Sequence, residues 1–193
     1  MRKTLIVIAI AVGALAVLGC AAYAVAQVFE ETDNKAHTVS RSIDHIVIEV
    51  ESGDIDLVPG GRSVRIDETD DYVFDSPDVS RTVSDGVLTI ESECDGVMSV
   101  FCTTDFRVGV PRGVTVDVRS YVGDIDIDRI DARAIEARAH VGDVHVDALR
   151  KGEIDARTNV GDVEVELPKR IYDRAYQAVD ARTDVGDADV TPR

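Results

Sequence analysis

Arg119-Ser120-Tyr121-Val122-Gly123-Asp124-Ile125-Asp126-Ile127 is the first of four versions of one short box. The others are Arg138-Ala139-His140-Val141-Gly142-Asp143-Val144-His145-Val146, Arg157-Thr158-Asn159-Val160-Gly161-Asp162-Val163-Glu164-Val165 and Arg182-Thr183-Asp184-Val185-Gly186-Asp187-Ala188-Asp189-Val190. Successive box glycines are 19, 19 and 25 residues apart. A nearly fixed period of this size marks stacked coils rather than a closed globule. The columns headed by Ile125 and Ile127 are almost wholly β-branched, and the position between them, from Asp126 to Asp189, is mostly charged. The short strand therefore alternates inward and outward with period two. Glycine takes φ > 0 without steric cost, and aspartate accepts hydrogen bonds from nearby backbone N–H groups, so Gly-Asp is a corner. Val122, Val141, Val160 and Val185 are expected to pile up in one dry interior. The predicted fold class is all-β, a single-stranded β-solenoid or β-roll with coils of ~19 residues.

Working outward, Ser52-Gly53-Asp54-Ile55 is an earlier corner, although Gly53 is too far from Gly123 for simple coils. Ser84-Asp85-Gly86 between alternating runs predicts a hairpin. Short strands are expected over Ser63 to Ile66 and Phe106 to Val110. The segment from Leu167 to Ala178 is the one insertion among the boxes, a bent connection. A single coil buries too few apolar side chains to offset the cost of ordering its backbone, so neighbouring coils must supply the rest.

At the start, Arg2 and Lys3 precede an apolar run from Leu5 to Ala26, long enough to cross a bilayer. Residues 1–28 are assigned to a membrane anchor or signal helix, 29–42 to a linker and 43–193 to the solenoid. An uncleaved anchor is the first expectation, with the basic end cytoplasmic and the solenoid outside at the cell surface. The alternatives are cleavage after Ala26 and lipidation of Cys20 within Val17-Leu18-Gly19-Cys20, the latter opposed by the apolar residues that follow. Outside the cytoplasm Cys94 and Cys102 are expected to form a disulfide, and two inert buried thiols are the other reading.

The formal net charge is −16, with 17 arginines against 4 lysines among the basic residues. Such a surface repels nucleic acid and anionic lipid headgroups. Asp124, Asp143, Asp162 and Asp187 should stack as a ladder about 4.8 Å apart. They are weak calcium candidates, because hard cations want several carboxylate oxygens, but the glycine-rich nonapeptide of calcium solenoids is absent. Corner capping is preferred, with Arg119, Arg138, Arg157 and Arg182 expected near enough to offset the charge. His140 and His145 sit in columns that vary and are assigned to solvent. No catalytic set is recognised, no cofactor is expected, and a calcium-binding repeat or a glycan-cleaving β-helix enzyme are the alternatives to a non-catalytic module.

Ser52-Gly53-Asp54-Ile55, the segment from Cys94 and Cys102 into Phe106-Arg107-Val108-Gly109-Val110-Pro111, and the serial Val-Gly-Asp corners together resemble the bacterial and archaeal putative adhesin family. The resemblance spans roughly residues 38 to 193. It implies extracytoplasmic right-handed β-rolls behind one membrane helix, without known catalytic residues. The expected role is a surface or envelope interaction module, its partner an unknown protein or cell-surface glycan.

Overall fold

Alternation of apolar and polar residues builds short strands that bury every second side chain, and corners fold successive strands onto opposite sheets. The computed structural model describes residues 31–94, 101–150, 152–175 and 178–193. The expected N-terminal helix, its cleavage point and Cys20 lie outside the described residues. Among the described residues no helix is long and apolar enough to cross a membrane.

Each coil runs up one sheet, turns at Gly-Asp and runs down the other. The repeats give β8 (Thr115–Val122) and β9 (Ile125–Ile130), β10 (Ala134–Val141) and β11 (Val144–Ala148), β12 (Glu153–Val160) and β13 (Val163–Leu167), then β14 (Val179–Val185) and β15 (Ala188–Pro192). Like strands pair in parallel, in register apart from a one-residue shift between β9 and β11 after Val146, so that Ile135 faces Val116 on one side and Ile154 on the other. The insertion carries a short helix, α1 (Lys169–Ala175).

The early corner belongs to the same stack. Strands β2 (His45–Ser52) and β3 (Ile55–Pro59) lie directly against β8 and β9, with Ile48 opposite Val118 and Leu57 opposite Ile127. The long gap in sequence is an excursion to the far side of that coil. There β6 (Val87–Glu93) and β7 (Cys102–Val110) form a further coil, parallel to β2 and β3, whose corner is the loop closed by the Cys94–Cys102 disulfide. Antiparallel strands finish this end: β4 (Val64–Tyr72) on β7, β1 (Glu31–Val39) on β4, and β5 (Asp78–Ser84) on β6 through the Asp85-Gly86 turn. The result is two open sheets, of eight and seven strands.

Three expectations change. The segment 29–42, read as a linker, contributes strand β1, which pairs along its whole length with β4. The strands expected at Ser63 to Ile66 and Phe106 to Val110 are the halves of longer ones. The corner valines face water: Val122, Val141, Val160 and Val185 are 42–63% exposed. Val122 shares the parity of inward Val116, Val118 and Ser120, but it sits where the chain is already bending into the corner and is left 45% exposed. The bends themselves remain stacked, Val122 against Val141, Val141 against Val160 and Val160 against Val185. The interior belongs to the columns Ile125, Val144, Val163 and Ile127, Val146, Val165, all at most 1% exposed.

At the antiparallel end the interior is ionic. Glu68 and Asp70 point inward from β4 with fully buried side chains. Lys35 of β1 reaches Asp70 at 2.6 Å and Glu68 at 3.3 Å, while Arg81 of the other sheet also pairs with Glu68. Beside them the buried hydroxyls of Ser92 and Thr104 are 2.8 Å apart.

Candidate interaction surface

The corner aspartates are chained to the backbone. The Asp124 N–H donates to Asp54 Oδ1, Asp143 to Asp124, Asp162 to Asp143 and Asp187 to Asp162, at 2.7–2.8 Å. Asp54 N–H in turn donates to Asp105 Oδ1 at 2.8 Å. Asp105 thus occupies the corner position of the disulfide-closed coil, which sequence reading missed because Thr104 precedes it instead of glycine. The carboxylates of Asp105, Asp54, Asp124, Asp143 and Asp162 each have a structural task one coil away, and Asp187 ends the chain as a donor. Among the described residues no group of three or more His, Cys, Asp or Glu is placed to hold a metal.

A second column ties corners together from inside. Ser120 donates to the Gly53 carbonyl at 3.2 Å, and Thr158 and Thr183 donate to the Gly142 and Gly161 carbonyls, each at 2.8 Å. Ala139 holds the same position in its coil and has no hydroxyl. Ala139→Ser should supply the missing donor to the Gly123 carbonyl and add about 1 kcal/mol, a rise in Tm of roughly 2–4 °C. A melting curve at or below that of the parent would count against this reading of the column.

The arginine column does not neutralise the aspartate ladder. It lies on the outer face of the seven-stranded sheet and pairs with carboxylates two residues upstream and on neighbouring coils. Arg119 contacts Glu49 at 2.6 Å and Asp117 at 3.0 Å; Arg157 contacts Asp155 at 2.6 Å and Asp180 at 3.2 Å; Arg182 contacts Asp180 at 2.6 Å. Arg138 bridges Glu136 and Asp155. Pairs this exposed contribute little singly, but the alternating rows fix register.

Where this face meets the corner edge lies a groove of about 720 Å³, lined by Glu49, Glu51, Glu91, Glu93, Arg119, Tyr121, Arg138, His140 and Asn159 among others. The Tyr121 and His140 rings stack, with centroids 4.6 Å apart and planes 17° from parallel. Tyr121 is 59% exposed, so a flat aromatic surface is offered beside carboxylates and guanidinium groups. The chemistry available is stacking and hydrogen bonding with a polar ligand. His140 is therefore part of a surface feature, while His145 lies 3.7 Å from Glu164 on the opposite face.

Burial pushes the carboxyls of Asp56, Asp105, Asp117 and Asp147 up from 3.8. A carboxyl whose folded pKa is raised holds its proton more tightly when folded, so stability is gained as pH falls through the folded value. Asp67 and Asp128, held down by hydrogen bonds from Arg65 and Arg129, contribute stability that is lost only as pH falls below 3.8. Tm should therefore rise on acidification from neutral pH toward about 4 and decline below it. A Tm that drops steadily across the upper part of that range would contradict the assignment.

Residues 38–191 match the model of the Toastrack DUF4097 family. A putative cell adhesion protein from Clostridium sporogenes superposes with a TM-score of 0.58 at 12% identity, covering 84% of this chain and 100% of that one. A putative adhesin from Bacteroides fragilis, at 16% identity, covers 83% of this chain and 97% of that one with a TM-score of 0.27. No curated protein matches the chain. With four-fifths of its length inside the family model and the same stacked two-sheet architecture as the first of these structures, the chain belongs to the Toastrack DUF4097 family.

Proposed function

We propose that the protein is a non-catalytic surface module, tethered outside the cytoplasm by its N-terminal apolar segment and acting through contacts made by its exposed faces. The observation that carries this is the groove beside the stacked Tyr121 and His140 rings, an exposed aromatic surface on a strand face otherwise committed to ion pairs. The apolar run from Leu5 to Ala26 ahead of β1 and the Cys94–Cys102 disulfide support an extracytoplasmic position. The name of the Clostridium sporogenes structure agrees with an adhesive role. The test is labelling of intact cells with a membrane-impermeant amine reagent, which should modify exposed Lys169 without lysis. Labelling only after lysis would remove the proposal. If the role is adhesive, Tyr121→Ala should lower attachment of cells bearing the protein without changing its labelling.

A further inference from the structure

The cations without ion pairs gather on one of the two turn edges of this molecule, beside the turn carboxylates Asp44, Asp85 and Asp131. On the corner edge the turns carry Asp54, Asp124, Asp143, Asp162 and Asp187 and contain no lysine or arginine. On the opposite edge the turns between coils carry Arg41, Arg62, Arg112 and Arg133, and α1 begins with Lys169 and Arg170; all are exposed. The arginines on the sheet faces are held in ion pairs, whereas these six make none among the described residues. Arg150 on the same edge is paired with Asp131 at 3.3 Å. In a chain of net charge −16, unpaired cations gathered on one edge are free to meet a ligand.

Part of this edge is shaped. A groove of about 650 Å³ runs between the Gly60-Gly61 and Pro111-Arg112-Gly113 turns, flanked by Arg62, Arg112 and Arg133, with Asp44 the carboxylate among its lining residues. Arg133 Nη2 donates to the Gly113 carbonyl at 2.8 Å, which holds its guanidinium over the groove. Guanidinium groups present a planar fork that binds carboxylate or sulfate oxygens in pairs. Successive turns repeat at the strand spacing of about 4.8 Å, comparable to the rise of one sugar in an extended polymer.

Position selects the occupant. Strand β1 begins at Glu31, opposite Tyr72 and therefore at the corner edge, a few residues after the apolar run ends at Ala26. In a tethered molecule the acidic edge faces the bilayer and the arginine edge faces away from it. Lipid headgroups and the acidic edge of a second tethered copy are both on the wrong side. We propose that the arginine edge binds an acidic polysaccharide, with its anionic groups seated between Arg62, Arg112 and Arg133. The choice of partner rests on the tethered reading above, but its measurement does not.

The experiment measures binding of the full chain in non-ionic detergent to alginate, a polyuronate, and to neutral dextran, at low and high salt. The parent should bind alginate and not dextran, more weakly at high salt, and R62Q/R112Q/R133Q should lose at least about tenfold in affinity. R65Q, on a sheet face, should bind like the parent, and matching melting curves show that the triple variant is folded. Equal binding of dextran, or undiminished binding by the folded triple variant, overturns the proposal. Binding of poly-glutamate but not alginate assigns the edge to an acidic protein instead. Self-association at low salt, abolished in the triple variant without alginate binding, assigns it to a second copy. Either result overturns the polysaccharide and leaves the cell-labelling test of surface exposure untouched.

Discussion

Gly142→Ala is expected to cost at least about 3 kcal/mol. Gly142 has φ +143°, where L side chains rarely sit, and an added Cβ would lie 2.2 Å from the Gly123 carbonyl oxygen and 2.6 Å from its carbon. Both atoms belong to backbone that is hydrogen-bonded into the stack, so neither can retreat without opening the corner. For a domain of this size the loss corresponds to a fall in Tm of roughly 6–12 °C. Gly61→Ala is the matched control, since a Cβ there meets nothing within 4 Å; its effect should be within about 1 kcal/mol of zero. A Gly142→Ala protein that melts with the parent would show that the corners tolerate a side chain and that their close stacking is not what fixes the coil.

Arg81→Met should be nearly as damaging. It leaves the Glu68 carboxylate, with no exposed side-chain surface, to share Lys35 with Asp70. Removing one partner of a buried ion pair costs about 3–5 kcal/mol, mostly because the other charge is stranded. Lys35 is 40% exposed and stays within 3.3 Å of Glu68, which places the expectation at the low end, about 3 kcal/mol. Because the penalty lies in the stranded charge, Arg81→Met combined with Glu68→Met should recover most of it. Urea unfolding of the parent, both single variants and the double closes the cycle. If the double variant is as unstable as the sum of the singles, the two side chains are not coupled.

The repeats were legible because each position in the box has one environment. Ile125 and Ile127 meet the same kind of neighbours as Val144 and Val146, so a column of β-branched residues declares an inward strand. The valine before each glycine obeys the same pattern and misleads, because parity tells which way a side chain points along a strand and not where the chain bends into the corner. The N-terminal half was less legible for a different reason. Its strands return to β2 and β3 from far along the chain, and a disulfide-closed loop replaces the Gly-Asp bend, so no period connects Asp105 to Asp54. Strand β1 carries Asp33, Lys35 and His37 at positions that face the interior side, and that polar sequence has the composition of a linker. What makes it a strand is the buried carboxylates waiting on β4. The groove beside Tyr121 could not be seen in advance, since a stacked Tyr–His pair one coil apart is visible only when the register is known.

In the corner relay each aspartate receives the N–H of its successor, so every interior unit presents the same donor and the same acceptor to its two neighbours. Duplicating one unit would extend the array by about 4.8 Å and leave no unmatched partner at either junction. The height of the molecule is therefore a quantity that evolution can alter in whole steps, leaving both ends and their chemistry as they were.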